Sequence, residues 1–259
     1  MSQLRILDSH FHIWDPTKQV LPWLDGLDKL NHTFTLEQLE KEYADLGVDF
    51  LGGVYVEVDA ADHELEDRLI GENPNPKILA KMLRVTLDPF MRVPIHATGI
   101  REPLHIPSEP RGRCLEPSFI GGLKAMAKKG MPFELCNRGE ELGDMAKAFE
   151  QVPEVTVVLN HLGNVPGLDD DSCNALRAFA KLPHSYIKIS GDNPVNPDIV
   201  KFVKDTFSPD RLLFSSNWPV VKLNSSLKQH LDLMVELFGD DEDFFMNNAK
   251  KAYLSLIHI

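Results

Sequence analysis

Cysteine is scarce in this chain of 259 residues: Cys114, Cys136 and Cys173 are scattered, odd in number and without metal-finger spacing. That pattern excludes a disulfide framework and suits a reducing cytoplasm. No apolar run approaches the length of a membrane span, and no charged start precedes an apolar block at the N-terminus. Neither a transmembrane helix nor a cleavable signal is therefore expected. Positive charge is also in deficit. Lys and Arg total 27 against 39 Asp and Glu, a formal net charge of -12, which disfavours a nucleic-acid or anionic-membrane partner. Internal repeats, low-complexity tracts and interdomain linkers are missing as well. What is plentiful is apolar residue, at 43%. That fraction supports a full core, and the length suits one domain spanning residues 1–259.

Short apolar, β-branched runs alternate with amphipathic stretches. Strands are predicted at Ile6–His12, Gly53–Val58, Leu83–Leu87, Ala97–Arg101, Met131–Asn137, Val155–His161, Tyr186–Ser190 and Arg211–Ser216. Helices are predicted at Leu36–Leu46, Ala61–Ile70, Phe119–Lys129, Glu140–Phe149, Ser172–Ala180, Asp198–Phe207, Leu227–Phe238 and Asp241–Leu256. The run Val155-Thr156-Val157-Val158-Leu159 hardly alternates, as befits a parallel strand buried on both faces. Eight strand–helix alternations predict a (β/α)₈ TIM barrel rather than an open sheet. The stretches Asp15–Thr35 and Glu102–Pro117 then lie as long loops on the C-terminal face, where substrate loops are built. The acidic clusters at Asp169–Asp171 and Asp240–Asp243 read as helix starts, because negative charge suits a helix N-terminus.

The first strand ends in two histidines, in Leu7-Asp8-Ser9-His10-Phe11-His12. Strict alternation puts His10 and His12 on one side and Leu7 and Phe11 on the other. Paired imidazoles at a strand end suit one divalent ion, or one substrate oxygen. Other reactive residues also fall near strand ends: Arg101 after the fourth, His161 after the sixth, Lys188 in the seventh, and Asn217-Trp218 after the eighth. A closed barrel brings such residues into one pocket.

In these motifs the chain resembles the amidohydrolase superfamily, in the branch of sugar-acid lactonases and pyrone dicarboxylate lactonase. The matching segments run nearly the whole length. They are Asp8-Ser9-His10-Phe11-His12-Ile13-Trp14-Asp15, Pro22-Trp23-Leu24, Val54-Tyr55-Val56-Glu57, Gly99-Ile100-Arg101, Phe133-Glu134-Leu135-Cys136, Asn160-His161-Leu162-Gly163, Ser216-Asn217-Trp218-Pro219-Val220 and Asn247–Tyr253. The resemblance implies a cytoplasmic hydrolase of sugar-acid or aromatic breakdown that opens a small polar or anionic lactone with water. His10, His12, His161 and Asn217 would be its catalytic set. Trp14, Glu57, Arg101, Lys188 and Trp218 would bind substrate, with Trp23 as a further apolar wall.

One departure is chemically sharp. The family usually carries an Asp where this chain has Asn217, and an amide has no titratable site with which to act as a base. His161 becomes the base expected, with Glu57, Asp59 and Asp192 as nearby carboxylates. His10, His12 and His161 remain candidate zinc ligands, but without that carboxylate the expectation is a site requiring no cofactor. Two alternatives stand beside the lactonase: an aromatic-acid decarboxylase and a catalytically silent ligand-binding barrel. The apolar tail Leu254–Ile259 packs on the barrel's own helices or forms a homodimer contact.

Overall fold

The computed structural model describes residues 3–191 and 194–254. Asp192 and the tail beyond Leu254 lie outside the described residues. Eight strands are present: β1 (Arg5–Phe11), β2 (Asp49–Val56), β3 (Ile78–Arg84), β4 (Gly99–Pro103), β5 (Phe133–Cys136), β6 (Val157–Leu159), β7 (Ser185–Ile189) and β8 (Leu212–Phe214). Between and after them run α1 (Leu36–Asp45), α2 (His63–Gly71), α3 (Pro117–Lys129), α4 (Leu142–Glu150), α5 (Asp170–Lys181), α6 (Pro197–Thr206), α7 (Leu227–Phe238) and α8 (Asn248–Leu254). Each strand pairs in parallel with the next, in the order β1 to β8. The ring closes where the His12 N–H donates to Trp218 O at 2.7 Å and the Asn217 N–H donates to His10 O at 2.9 Å. The fold is the (β/α)₈ barrel read from the alternation.

Local chemistry sets the helix starts. Thr35 and Gln38 form a reciprocal capping box at α1, and Asp62 caps α2. Asp169 accepts the Ser172 N–H at α5, and Asp241 accepts the Asp243 N–H before the last helix. Both acidic clusters are therefore caps. Several boundaries differ from the sequence expectation: β2 begins at Asp49 rather than Gly53, and β6 and β8 are shorter than expected. β3 begins at Ile78, five residues before Leu83, the expected start, because Lys81 interrupts an otherwise apolar run without breaking the strand.

Leu7 does not face away from His10. It packs with Val54, Val56, Met82, Val158 and Leu213 inside the barrel. The register of β1 on β2 shifts between Asp8 and Phe11, so an extra residue there returns His10 and His12 to Leu7's side.

The helical side chains pack outside the ring in one large apolar cluster. Inside, a smaller cluster fills the lower barrel, plugged from below by Met246, just before α8, and by Ala249, Ala252 and Tyr253 of α8. Above that plug the interior turns polar, and there the site begins.

Candidate active site

Asp8 fastens the first strand to the last. Its carboxylate accepts the N–H groups of His10 and Ser216 and the hydroxyls of Tyr43 and Ser216. This knot fixes the backbone carrying His10 and Asn217. Among the described residues, five non-glycine residues have positive φ: Asp59, His161, Leu162, Asn164 and Asn217. All follow β2, β6 or β8 at the C-terminal rim. Conformations of this kind cost about 1–3 kcal/mol each in sparsely populated regions and concentrate at functional sites. Gly191 gives His161 room, since a Cβ there would lie 2.9 Å from the His161 Cβ.

Three imidazoles meet over the polar interior. His10 Nε2 and His12 Nε2 are 3.1 Å apart, and the His10 and His161 rings lie 4.8 Å apart by centroid. Their proton positions follow from their partners. The Val56 carbonyl can only accept, so His12 Nδ1, at 2.8 Å, carries the proton. Lys188 Nζ donates to His10 Nδ1 at 3.1 Å. His10 therefore bears its proton on Nε2 and donates it to His12. Ser215 Oγ donates to Ser190 Oγ, which is 2.9 Å from His161 Nδ1. Where Ser190 donates to that ring nitrogen, the proton of His161 sits on Nε2. In that tautomer His161 is a hydrogen-bond donor toward the cleft; with the proton on Nδ1 instead, its Nε2 is the base expected from sequence.

Burial, with Lys188 as the next cause, drives the His10 pKa well below the usual imidazole range. Burial and Arg101 lower His12 to about 4, and burial, Arg101 and Lys188 also push His161 far down. The three rings are neutral at pH 7. Lys188 is fully buried, and burial brings it down to about 8 although Glu134 opposes the shift. Both Glu134 oxygens lie 2.8 Å from Lys188 Nζ, and Asn160 Nδ2 and the Tyr253 hydroxyl also donate to that carboxylate. A buried pair so fully satisfied holds geometry more than it adds stability.

Above the imidazoles opens a cleft of about 1070 Å³ lined by His12, Trp23, Glu57, Arg101, His161 and Asn217, among others. Arg101 Nη1 donates to Glu57 Oε1 at 2.6 Å, while the Arg101 Nε has no partner. Burial disfavours the Glu57 charge, but Arg101 and the Asp59 N–H outweigh it and hold the carboxyl below its ordinary range. Other expected site residues lie elsewhere. Lys188 and His10 sit beneath the cleft. Trp14 is packed among Trp23 and Phe34, and Trp218 is wholly buried with its indole N–H on Glu42. Of the three tryptophans only Trp23 reaches the cleft wall. Sequence reasoning missed Ser190 and Ser215 behind His161, and it missed Cys136 and His105 on the wall. The signal for Cys136 was its place as the last residue of β5.

Zinc fits these donors poorly. A metal-bound imidazole normally donates its other N–H to a carboxylate, carbonyl or water, whereas His10 Nδ1 faces an ammonium and its Nε2 carries a proton. Position 217 offers an amide, and no group of three His, Cys, Asp or Glu side chains among the described residues is placed to hold a metal ion.

Comparison with known proteins agrees with this architecture. A solved amidohydrolase 2 from Bifidobacterium longum subsp. infantis is 67% identical, with a TM-score of 0.95 over 97% of this chain and 99% of that one. An amidohydrolase from Burkholderia multivorans, solved with bound zinc, shares the fold at a TM-score of 0.80 and 20% identity, covering 96% and 99%. The L-rhamnono-gamma-lactonase of Scheffersomyces stipitis is 24% identical, covering 98% of this chain and 99% of its own. Residues 98–254 match the amidohydrolase family, and the chain belongs to it.

Proposed function

We propose that this protein hydrolyses a small polar or anionic lactone, a sugar-acid or pyrone-type cyclic ester, in its C-terminal cleft. The observation that carries the reading is the convergence of His12, His161, Arg101 and Asn217 on one cavity. The similarity to a rhamnonolactonase supports the substrate class. In this reading His161 Nε2–H donates to the lactone carbonyl oxygen, where charge develops as the ring opens. The unpartnered Arg101 Nε donates to a substrate carboxylate or hydroxyl. Asn217 orients a water or a hydroxyl but takes no proton, so a base or nucleophile must come from elsewhere in the cleft. The Lys188–His10–His12 chain of hydrogen bonds holds the imidazoles in register.

The test is a panel of sugar-acid and pyrone lactones, with acid release followed by a pH indicator. The expected result is turnover of at least one lactone, retained after dialysis against a chelator and lost in His12→Ala. Absence of turnover across the panel, with ring-opened acids still raising the melting temperature, would favour the silent binding barrel that Asn217 suggests. Stoichiometric zinc whose removal abolishes activity would overturn the cofactor-free reading.

A further inference from the structure

The cleft holds a nucleophile that the family resemblance did not assign. Cys136 closes β5 with its side chain on the cleft wall, near His105 and Arg101 and 3.6 Å from Asn164 Nδ2. Two polar atoms on residues lining the same wall lack partners: Arg101 Nε, on a residue 6% exposed, and Asn137 Oδ1, on a residue wholly buried. Buried polar atoms left open around a thiol mark a place for a polar ligand.

The geometry points to Cys136 as the nucleophile that opens the ring, with His105 as its acid–base partner. This rests on the lactone reading. The thiolate sulfur adds to the carbonyl carbon, and His161 Nε2–H donates to the resulting oxyanion. The ring C–O bond then breaks as the imidazolium of His105 gives its proton to the departing alkoxide, leaving a thioester. Water attacks that thioester, neutral His105 takes the water's proton, and the thiolate leaves. The sum is lactone plus water to hydroxy acid, and the step needs no carboxylate at position 217.

The charges suit this chemistry. Burial alone would raise the Cys136 thiol, but His105 and Arg101 more than offset it and bring it to about 6. Cys136 in turn raises the pKa of His105. Cys114, by contrast, is pushed up to about 12 by burial and by Asp144 and Glu141, with Lys147 only partly opposing. Thiolate character in a cationic pocket marks reactive cysteines.

Iodoacetamide added to the native chain at pH 7 should alkylate Cys136 at least about tenfold faster than the more exposed Cys173, and His105→Gln should slow it. Acid quenching during turnover should leave wild-type protein heavier by one lactone, and Cys136→Ser should show no such adduct. Cys136→Ala, checked for folding by circular dichroism, should lose about 100-fold or more in kcat. Near-normal kcat in Cys136→Ala, or alkylation of Cys136 no faster than of Cys173, would overturn the proposal. Rapid alkylation without turnover of any lactone supports the nucleophile and removes the substrate assignment instead.

Discussion

Glu66 is buried behind the end of β2, where one carboxyl oxygen accepts both the Tyr55 hydroxyl at 2.7 Å and the Val58 N–H at 2.9 Å. Burial and the nearby Glu57 raise its pKa to about 8. The folded protein thus keeps a proton on Glu66 that the unfolded chain releases near pH 4.5. Between those values the native state binds more protons, so stability falls as pH rises from about 4.5 to 8. Glu66→Gln keeps the accepting oxygen and mimics the protonated acid. It should remove that slope and gain on the order of 3 kcal/mol at pH 8. Urea unfolding of both proteins at pH 6 and 8 checks it, and parallel slopes would contradict it. Asn217 offers the other residue-scale test. Asp tolerates its positive φ and adds a charge beside the imidazoles. Asn217→Asp should raise kcat/KM on a lactone about tenfold or more by giving water a base, and it should make the melting temperature respond to zinc. No gain in either measurement would place the reacting centre away from position 217.

At the scale of elements, the site rests on a floor. The last helix sends Tyr253 up into the barrel, where its hydroxyl donates to Glu134, the partner of Lys188 and, through it, of His10. Tyr253→Phe removes one bond from a buried carboxylate, at a cost of about 1–2 kcal/mol. For a chain of this size that is a fall of roughly 2–8 °C in melting temperature by calorimetry; an unchanged melting temperature would show that this bond adds no stability to the floor. Elements also mark where the sequence was readable. The eight-fold alternation and the caps at Asp169 and Asp241 follow from local periodicity and dipoles. The start of β3 did not, because Lys81 breaks the apolar run while its N–H still bonds the Thr98 hydroxyl. Nor did the irregularity in β1. It depends on β2, where Gly53 lies so close to the Asp8 carbonyl that a Cβ would collide with it.

For the whole molecule, the sequence disclosed which residues share a rim, since strand ends in a closed ring share one face. It did not disclose depth. Lys188, Trp14 and Trp218 sit near the same strand ends as Arg101, yet they are buried under or behind the cleft, a distinction set by packing layers. Cys136 and His105 come together only because the loop after β4 folds over the end of β5, and no local pattern announces that. No helix among the described residues is long and apolar enough to cross a membrane. In the proposed reaction, imidazoles from the first and sixth strands serve a single reacting centre. A double-mutant cycle tests it directly, with kcat/KM on the best lactone measured for His12→Ala, His161→Ala and the pair. We predict losses of about 10²–10³ for each single variant and little further loss in the double. Independent, multiplying losses, or a single variant equal to wild type, would contradict it.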